Sequence, residues 1–535
     1  MAAVRLQGRS AAPGFAMGPV HHLAHAPVNG VVYRPSGDRN EEAARLRAAI
    51  ADAREDIEKL AGKTGGTAAD VLMFQVAMLS DEALAEAAFQ DIADGVPADK
   101  AWDRALDAEL SHYLSAEDEL FRARASDLKD IKHRVADVLA GGRPHLVIPH
   151  GAIVLADDLP PSQFLETDWA DGAVLLRAGS PTSHVAILAR ARGVPMIVGL
   201  AGSLAPGQQV AVDAATGLVI VDPSRDEQAD FEARRRAVAQ DESEARRRER
   251  EPAITADGIA IGVLINIADP RELDGLDPGI CDGVGLARTE LMFEGNRLPD
   301  EERQYRAYRR IAEWAEGRPV TIRTLDAGGD KPIPGLTPEG ESNPFLGVRG
   351  IRLTLARPDV FRPQLRALAR AAVHGTVEIM IPMVSVPREF EAARNLLDDV
   401  VGELARQNVP HRRPPLGMMV EVPAAAISID QFDADFYSIG SNDLVQYVLA
   451  AGRDIAAVSD LARADEDAVL RLIARVADHG ARTGRKVSLC GDAGGDPELI
   501  PALLICGLRT LSMSPRRLAH AKAAIRAARA DGAVA

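Results

Sequence analysis

The 535-residue sequence predicts a multidomain protein: an α/β domain interrupted by an inserted helical bundle, followed by a C-terminal (β/α)8 barrel of the TIM type. Three observations predict this. The chain is long enough for about three to four domains rather than one core. Within the first 223 residues the hydrophobic period changes from short apolar runs to helical spacing and back. A nearly all-polar stretch, 224–251, then precedes about 285 residues of alternating apolar runs and helical segments, the length of one such barrel.

Composition sets the class. Hydrophobic residues make up 47% and charged residues 26%, as in an ordinary globular chain. The formal charge, 62 − 78 = −16, disfavours a nucleic-acid partner, and no basic patch offsets it. Cys281, Cys490 and Cys506 lack metal-like spacing and cannot all pair, which suits reduced thiols in the cytoplasm. Gly8, Arg9 and Ser10 soon interrupt the N-terminus, which therefore offers neither a signal-peptide core nor a membrane span.

Taken in order, residues 4–33 mix apolar residues with Gly and Pro and are expected to form strands and a turn. From 38 to 141, Glu41, Glu42, Arg45, Asp52, Glu55 and Glu58 interleave with Ala, Leu and Ile at helical spacing, and Gly and Pro become scarce; this is the bundle. Short runs at 146–148, 152–155, 174–176, 197–198 and 210–212 return to strand character. Residues 1–37 and 142–223 are therefore assigned to one α/β domain, with 38–141 inserted into it. The stretch 224–251, with arginine triplets at 234–236 and 246–248 among acidic residues, reads as a solvated helical linker between two bodies that move relative to each other. In 252–535 eight candidate strands follow: 259–267, 282–288, 319–325, 377–384, 416–422, 435–440, 486–491 and 509–514. The gap between the first two leaves little room for a full helix.

Two places carry chemistry. Gly179-Ser180-Pro181-Thr182-Ser183-His184 runs from a loop into the amphipathic segment that continues to Arg190. Ser and Thr cap such a helix, and a histidine there sits at the positive end of the helix dipole, which favours a neutral nucleophilic imidazole and a bound phosphoryl group. By position alone, one of twelve histidines at a helix start more often packs or caps. The second place is the set of strand C-termini, where barrel sites gather. They hold Arg288, Arg323, Met383, Glu421, Cys490 and Ser514, with Asn442 and Asp443 just beyond the sixth strand. Arginine forks suit phosphate and carboxylate, and paired carboxylates with substrate oxygens suit Mg2+.

These residues also carry a resemblance that spans essentially the whole chain. Thr182-Ser183-His184 followed by Ala186-Ile187, Ala189-Arg190, Gly193 and Pro195 resembles the phosphohistidine domain of phosphoenolpyruvate-utilising enzymes, a family that includes Enzyme I of the sugar phosphotransferase system, pyruvate phosphate dikinase and phosphoenolpyruvate synthase. Gly283 to Glu290, Arg323 to Lys331, Asn343 to Arg352, Met419 to Pro423, Ser438 to Leu444 and Cys490-Gly491 are similar to Enzyme I segments. The resemblance implies that His184 carries phosphate and that Arg288, Arg323, Arg349, Asn442 and Arg453 bind phosphoenolpyruvate. It further implies that Glu421 and Asp443 hold Mg2+ and that Cys490 protonates enolpyruvate to pyruvate. A histidine-containing phosphocarrier protein docked on the bundle would receive the phosphate, and two copies would pair through the barrel as a homodimer. The segment 124–131 resembles the end of the carrier-docking helical domain, and Met78, Leu79 and Leu84 are either on its docking face or in its core. Three departures stand out: Gly179-Ser180-Pro181 in place of Gly-Gly-Arg, Asp492 in place of glutamate, and 461–467 in place of a Tyr- and Pro-containing segment. A synthase or dikinase needs a further nucleotide-binding domain, for which the roughly 140 residues before the phosphohistidine domain are too few. A regulatory paralogue without chemistry is disfavoured by the retained reactive residues.

Overall fold

The computed structural model describes residues 4–23, 33–63, 67–115, 119–142, 148–181, 183–293, 298–329, 331–338, 340–452, 455, 458 and 461–531. Arg453, Thr182, Leu146 and Val147 lie outside them. Two compact units, Met1–Ala237 and Val238–Ala535, divide the chain.

In the first unit, β1 (Val4–Gln7), β2 (Arg9–Ala12) and β3 (Phe15–His22) precede five helices: α1 (Arg39–Lys63), α2 (Thr67–Ser80), α3 (Glu82–Ala93), α4 (Ala98–Ser115) and α5 (Glu119–Leu139). Then come β4 (Ile153–Ala156), α6 (Pro161–Glu166), β5 (Ala173–Leu176), α7 (His184–Arg192), β6 (Met196–Val198), β7 (Gln209–Asp213) and β8 (Leu218–Val221). One eight-stranded sheet, ordered β1-β8-β7-β3-β4-β5-β6-β2, joins strands from both sides of the helices. Its β3-β4-β5-β6 portion is parallel, and the remaining pairs are antiparallel. The runs in β4 and β5 are continuously apolar because both faces are covered. Val154, Ala156, Val174 and Leu176 join the core under the helices, while Ile153, Leu155, Ala173 and Leu175 join a second core on the opposite face. Trp102 is fully buried in the bundle and donates its indole N–H to Lys132 O at 3.1 Å. Leu79 belongs to that core and Met78 and Leu84 pack against it, so packing accounts for all three.

Helix α8 (Arg225–Arg247) occupies the polar stretch and crosses the boundary between the units. The second unit is a closed, all-parallel barrel of β9 (Gly262–Ile267), β10 (Val284–Ala287), β11 (Pro319–Arg323), β12 (Thr376–Ile381), β13 (Leu416–Val420), β14 (Phe436–Gly440), β15 (Lys486–Cys490) and β16 (Thr510–Met513), with β16 returning to β9. Each strand falls on one of the eight expected segments. Between β9 and β10 only two 3-10 turns occur, Pro270–Leu273 and Pro278–Ile280, as the short gap required. The barrel helices are α9 (Glu301–Trp314), α10 (Ile351–Ala356), α11 (Pro358–Ala371), α12 (Pro387–Arg406), α13 (Pro423–Ile427), α14 (Ser441–Leu449), α15 (Asp467–Thr483), α16 (Ile500–Ile505) and α17 (Leu518–Ala527). No helix among the described residues is long and apolar enough to cross a membrane. Cys506 is partly buried, its Sγ 3.6 Å from Leu470 O.

The end of the polar stretch is clasped to the last helix. Lys522 is buried and donates to Glu249 O (2.7 Å), Glu251 O (3.2 Å) and Ile280 O (2.7 Å), while Arg526 donates to Arg248 O at 2.7 Å. Removing the ammonium leaves carbonyls short of donors, at a cost of about 1–3 kcal/mol for a buried group. Lys522→Met is therefore expected to lower the stability of the barrel unit by roughly 2–4 kcal/mol, measured by denaturant unfolding followed through Trp314 fluorescence.

Candidate active site

His184 is the first residue of α7. Ser183, in extended conformation (φ −63°, ψ 155°), caps the helix by accepting from Ala186 N at 3.4 Å, and Gly193 closes it in the left-handed conformation (φ 69°) that glycine adopts without Cβ strain. The loop before the histidine is held through its carbonyls. Arg190 donates to Pro181 O (2.8 Å) and Ala11 O (2.5 Å), and Arg9 donates to Gly179 O (3.3 Å). The His184 side chain is 32% exposed, and its Nδ1 lies 2.9 Å from Oδ2 of the fully buried Asp127 on α5. The pair is close but not aligned as a linear hydrogen bond, so it acts chiefly through charge and dipole. Gln75 holds Asp127 in turn, donating from Nε2 to Oδ1 at 3.3 Å and to Asp130 Oδ2 at 3.1 Å. Asp127 was not singled out from the sequence: it lies in the bundle, and no local spacing links it to His184.

At the barrel rim, the ends of β10 to β15 and the segments after them hold Arg288, Arg323, Arg349, Glu421, Asn442, Asp443 and Cys490. Arg323 ends β11 and is buried; its Nη2 donates to Glu290 Oε1 (3.0 Å), its Nη1 is 3.0 Å from Asp326 Oδ2, and its Nε meets no acceptor among the described residues. Arg349 is 1% exposed and grips Asp326 with two contacts, Nη2 to Oδ2 at 3.0 Å and Nε to Oδ1 at 3.3 Å, while also reaching Asp443 Oδ1 at 3.3 Å. Its approach depends on Gly328 (φ 111°), where a Cβ would stand 2.5 Å from Arg349 Cβ. Glu421 follows β13, is buried, and accepts from Met383 N at 2.6 Å; Met383 itself is left-handed (φ 58°). Cys490 ends β15, is 2% exposed and accepts from Ser438 Oγ at 3.2 Å. Arg288, just after β10, is exposed, and its charge reaches the Cys490 thiol. Asn442 and Asp443 lie in the first turn of α14. Glu290 and Asp326 had no assigned role in the sequence reading, although each follows an assigned arginine within three residues.

The charges explain one another. Burial opposes ionisation of Arg323 and Arg349, but Glu290 and Asp326 outweigh it for the first and Asp326 and Asp443 for the second, so both stay firmly cationic. Burial likewise opposes the Asp326 carboxylate, and the two arginines overcome it. Glu421 is the exception. Burial, then Asp443, then Asp326 push its carboxyl up to about 8. Two buried arginines thus face four carboxylates, an imbalance that a divalent cation on Glu421 and Asp443 would relieve. No cluster of three or more metal-type side chains occurs among the described residues. Two carboxylates nevertheless suffice for a hard cation that takes its other ligands from substrate and water, so the pair fits Mg2+. Burial also pushes the Cys490 thiol up to about 11, partly offset by the Ser438 hydrogen bond, so the sulfur keeps its proton at neutral pH.

Residues 242–530 match the family model described as PEP-utilising enzyme, PEP-binding domain; 148–217 match that of the mobile domain and 7–124 that of the N-terminal domain. The chain belongs to the PEP-utilising enzyme family. Among its relatives, the phosphoenolpyruvate-protein phosphotransferase of Geobacillus stearothermophilus is 37% identical over 97% of this chain and 93% of its own. Those of Enterococcus faecalis and Bacillus subtilis are 37% identical over 89% of this chain and 86% of their own, and 35% identical over 97% and 94%. The PEP-binding domain model of the family covers the whole closed barrel, and the mobile domain model covers α7 with His184.

Glu421 makes stability depend on pH with a definite sign. Its folded value lies above the unfolded value of 4.5, so the fold favours the protonated acid, and that contribution is lost as pH rises from 4.5 through about 8. Glu421→Gln keeps an acceptor for Met383 N and removes the ionisation. The metal-free variant is expected to outlast wild type at pH 9 by roughly 1–4 kcal/mol and to match it near pH 5, as read from thermal melts across that range.

Proposed function

We propose that this chain takes the phosphoryl group of phosphoenolpyruvate onto His184, releases pyruvate, and passes the phosphate to a histidine of a small phosphocarrier protein. The observation that carries this reading is the placement of His184 at a helix N-terminus with Nδ1 against a buried carboxylate. Asp127 favours the tautomer with its proton on Nδ1, which leaves the Nε2 lone pair as nucleophile. As the N–P bond forms and the ester P–O bond breaks, the ring gains positive charge, and Asp127 balances it.

In this reading the substrate sits at the barrel rim, its anionic oxygens met by Arg288, Arg323, Arg349 and Asn442, with Arg453 as a further contact. The unengaged Nε–H of Arg323 is one donor reserved for it. Glu421 and Asp443 would hold Mg2+, which would supply electrostatic neutralisation of negative charge on the substrate. Cys490 then gives its proton to C3 of enolpyruvate, forming pyruvate and a thiolate that Ser438 O–H stabilises until solvent returns the proton. The bundle, 38–141, is the carrier's docking domain, 224–251 the hinge between domains, and two copies associate through residues 252–535. Free cysteines accord with a cytoplasmic site of action.

Replacing His184 by Ala is expected to abolish acid-labile, base-stable phosphorylation by phosphoenolpyruvate while the melting profile is unchanged; labelling at the wild-type level would overturn the assignment. Cys490→Ala should still phosphorylate His184 in a single turnover, but steady-state pyruvate formation should fall at least tenfold. In deuterated water the labelled methyl group of its pyruvate should lose the stereospecificity of wild type. Unchanged rate and stereochemistry would return the thiol to a packing role.

A further inference from the structure

The Asn442 side chain is almost fully spoken for. An asparagine amide offers two acceptor lone pairs on oxygen and two N–H donors. Its Oδ1 accepts from Asp492 N at 3.1 Å and from Ser441 Oγ at 3.4 Å, which uses both lone pairs. Its Nδ2 donates one hydrogen to Asp492 Oδ2 at 3.1 Å. The orientation of the amide is thereby decided chemically: a main-chain N–H must meet the oxygen and a carboxylate must meet the nitrogen, and the flipped amide would face like against like at both contacts. Among the described residues, one N–H is the capacity left unused.

The surrounding backbone is built for this closure. Gly491 has φ 146°, and a Cβ there would stand 2.1 Å from Ser441 Oγ and 3.1 Å from Asn442 Oδ1, so only glycine lets the end of β15 come this close to the start of α14. Arg517 Nη1 donates to Asp492 O at 3.2 Å and holds the far side of the same turn. Asp492 is exposed and makes no contribution to the core, so its two contacts to Asn442 are its principal structural role.

We infer that Asp492 is a positioning residue: its carboxylate and main-chain N–H, with the Ser441 hydroxyl, lock the Asn442 amide so that the one remaining Nδ2–H is a fixed donor to an anionic oxygen of the substrate. This deepens the proposed function and rests on its placement of Asn442 at phosphoenolpyruvate. It also limits what Asn442 can recognise. With both lone pairs occupied, it accepts nothing, so the group it meets must be an acceptor such as a phosphate or carboxylate oxygen. Acceptance of two hydrogen bonds at Oδ1 polarises the amide and strengthens the remaining N–H.

The test is a double-mutant cycle on the full-length protein, with phosphoenolpyruvate as the variable substrate, Mg2+ and carrier saturating, and melting temperature as the folding control. Asp492→Ala is expected to raise KM for phosphoenolpyruvate about tenfold with kcat within about twofold of wild type. Asp492→Asn keeps an acceptor oxygen and should bring KM back to within about threefold. Asn442→Ala should raise KM at least as much as Asp492→Ala, and adding Asp492→Ala to it should change KM by less than about twofold. A full Asp492→Ala effect in the Asn442→Ala background would show that Asp492 acts independently and would overturn the inference, as would a wild-type KM in Asp492→Ala. A wild-type KM in Asn442→Ala would instead remove Asn442 from the substrate, and the inference with it.

Discussion

The barrel site depends on Asp326. It is fully buried, and both Arg323 and Arg349 lie 3.0 Å from its Oδ2. Two guanidinium groups this close and this deep would repel each other and lose hydration that protein atoms must replace; a single carboxylate between them supplies the attraction that makes burial of both tolerable. Glu290 takes a further face of Arg323, and Asp443 takes the outer face of Arg349. Protein carboxylates alone thus hold both arginines in fixed orientations, a preorganised cationic pair. Loss of the central carboxylate would leave Arg323 to Glu290 and Arg349 to Asp443, two buried cations with one carboxylate each and none between them.

The same low-dielectric setting acts in opposite directions on the remaining groups. Burial favours the protonated thiol of Cys490, and the hydrogen bond from the Ser438 hydroxyl tempers that effect. Glu421 is disfavoured as an anion by burial and by Asp443 and Asp326, which makes the rim receptive to a cation. His184 is treated differently. It is partly exposed at a helix start, its loop is held through the carbonyls of Gly179 and Pro181, and the buried Asp127 lies against it. In the proposed cycle a nucleophile that meets two partners in turn suits such a surface position, and groups that stabilise charge suit a rigid interior.

Much of this was legible in the chain itself. The eight barrel strands were recognisable because each is a short apolar run with punctuation at both ends, and the missing first crossover helix followed from spacing alone. Strand ends singled out Arg323, Glu421 and Cys490 as candidates, and the structure buries all three at the strand ends of one barrel. The helix start at His184 was readable from Ser183 before it and Gly193 after it, since capping is local chemistry. Met78, Leu79 and Leu84 were ambiguous for the converse reason: an apolar helix face looks the same whether it meets a partner or its own core.

What the sequence determined by itself was therefore whatever depends on neighbours a few residues away: periodicity, caps, turns and the residue types that a substrate anion and a cation require. What only the tertiary structure decided was pairing across distance. Asp127 meets His184 from another helix, Asp326 draws Arg349 to Arg323 across a loop, and Asp492 closes on Asn442 from the next strand. Charge and hydrogen-bond partners act over a few ångströms in space, and sequence separation says nothing about that distance until the strands have closed into a barrel and the helices have packed on their sheet.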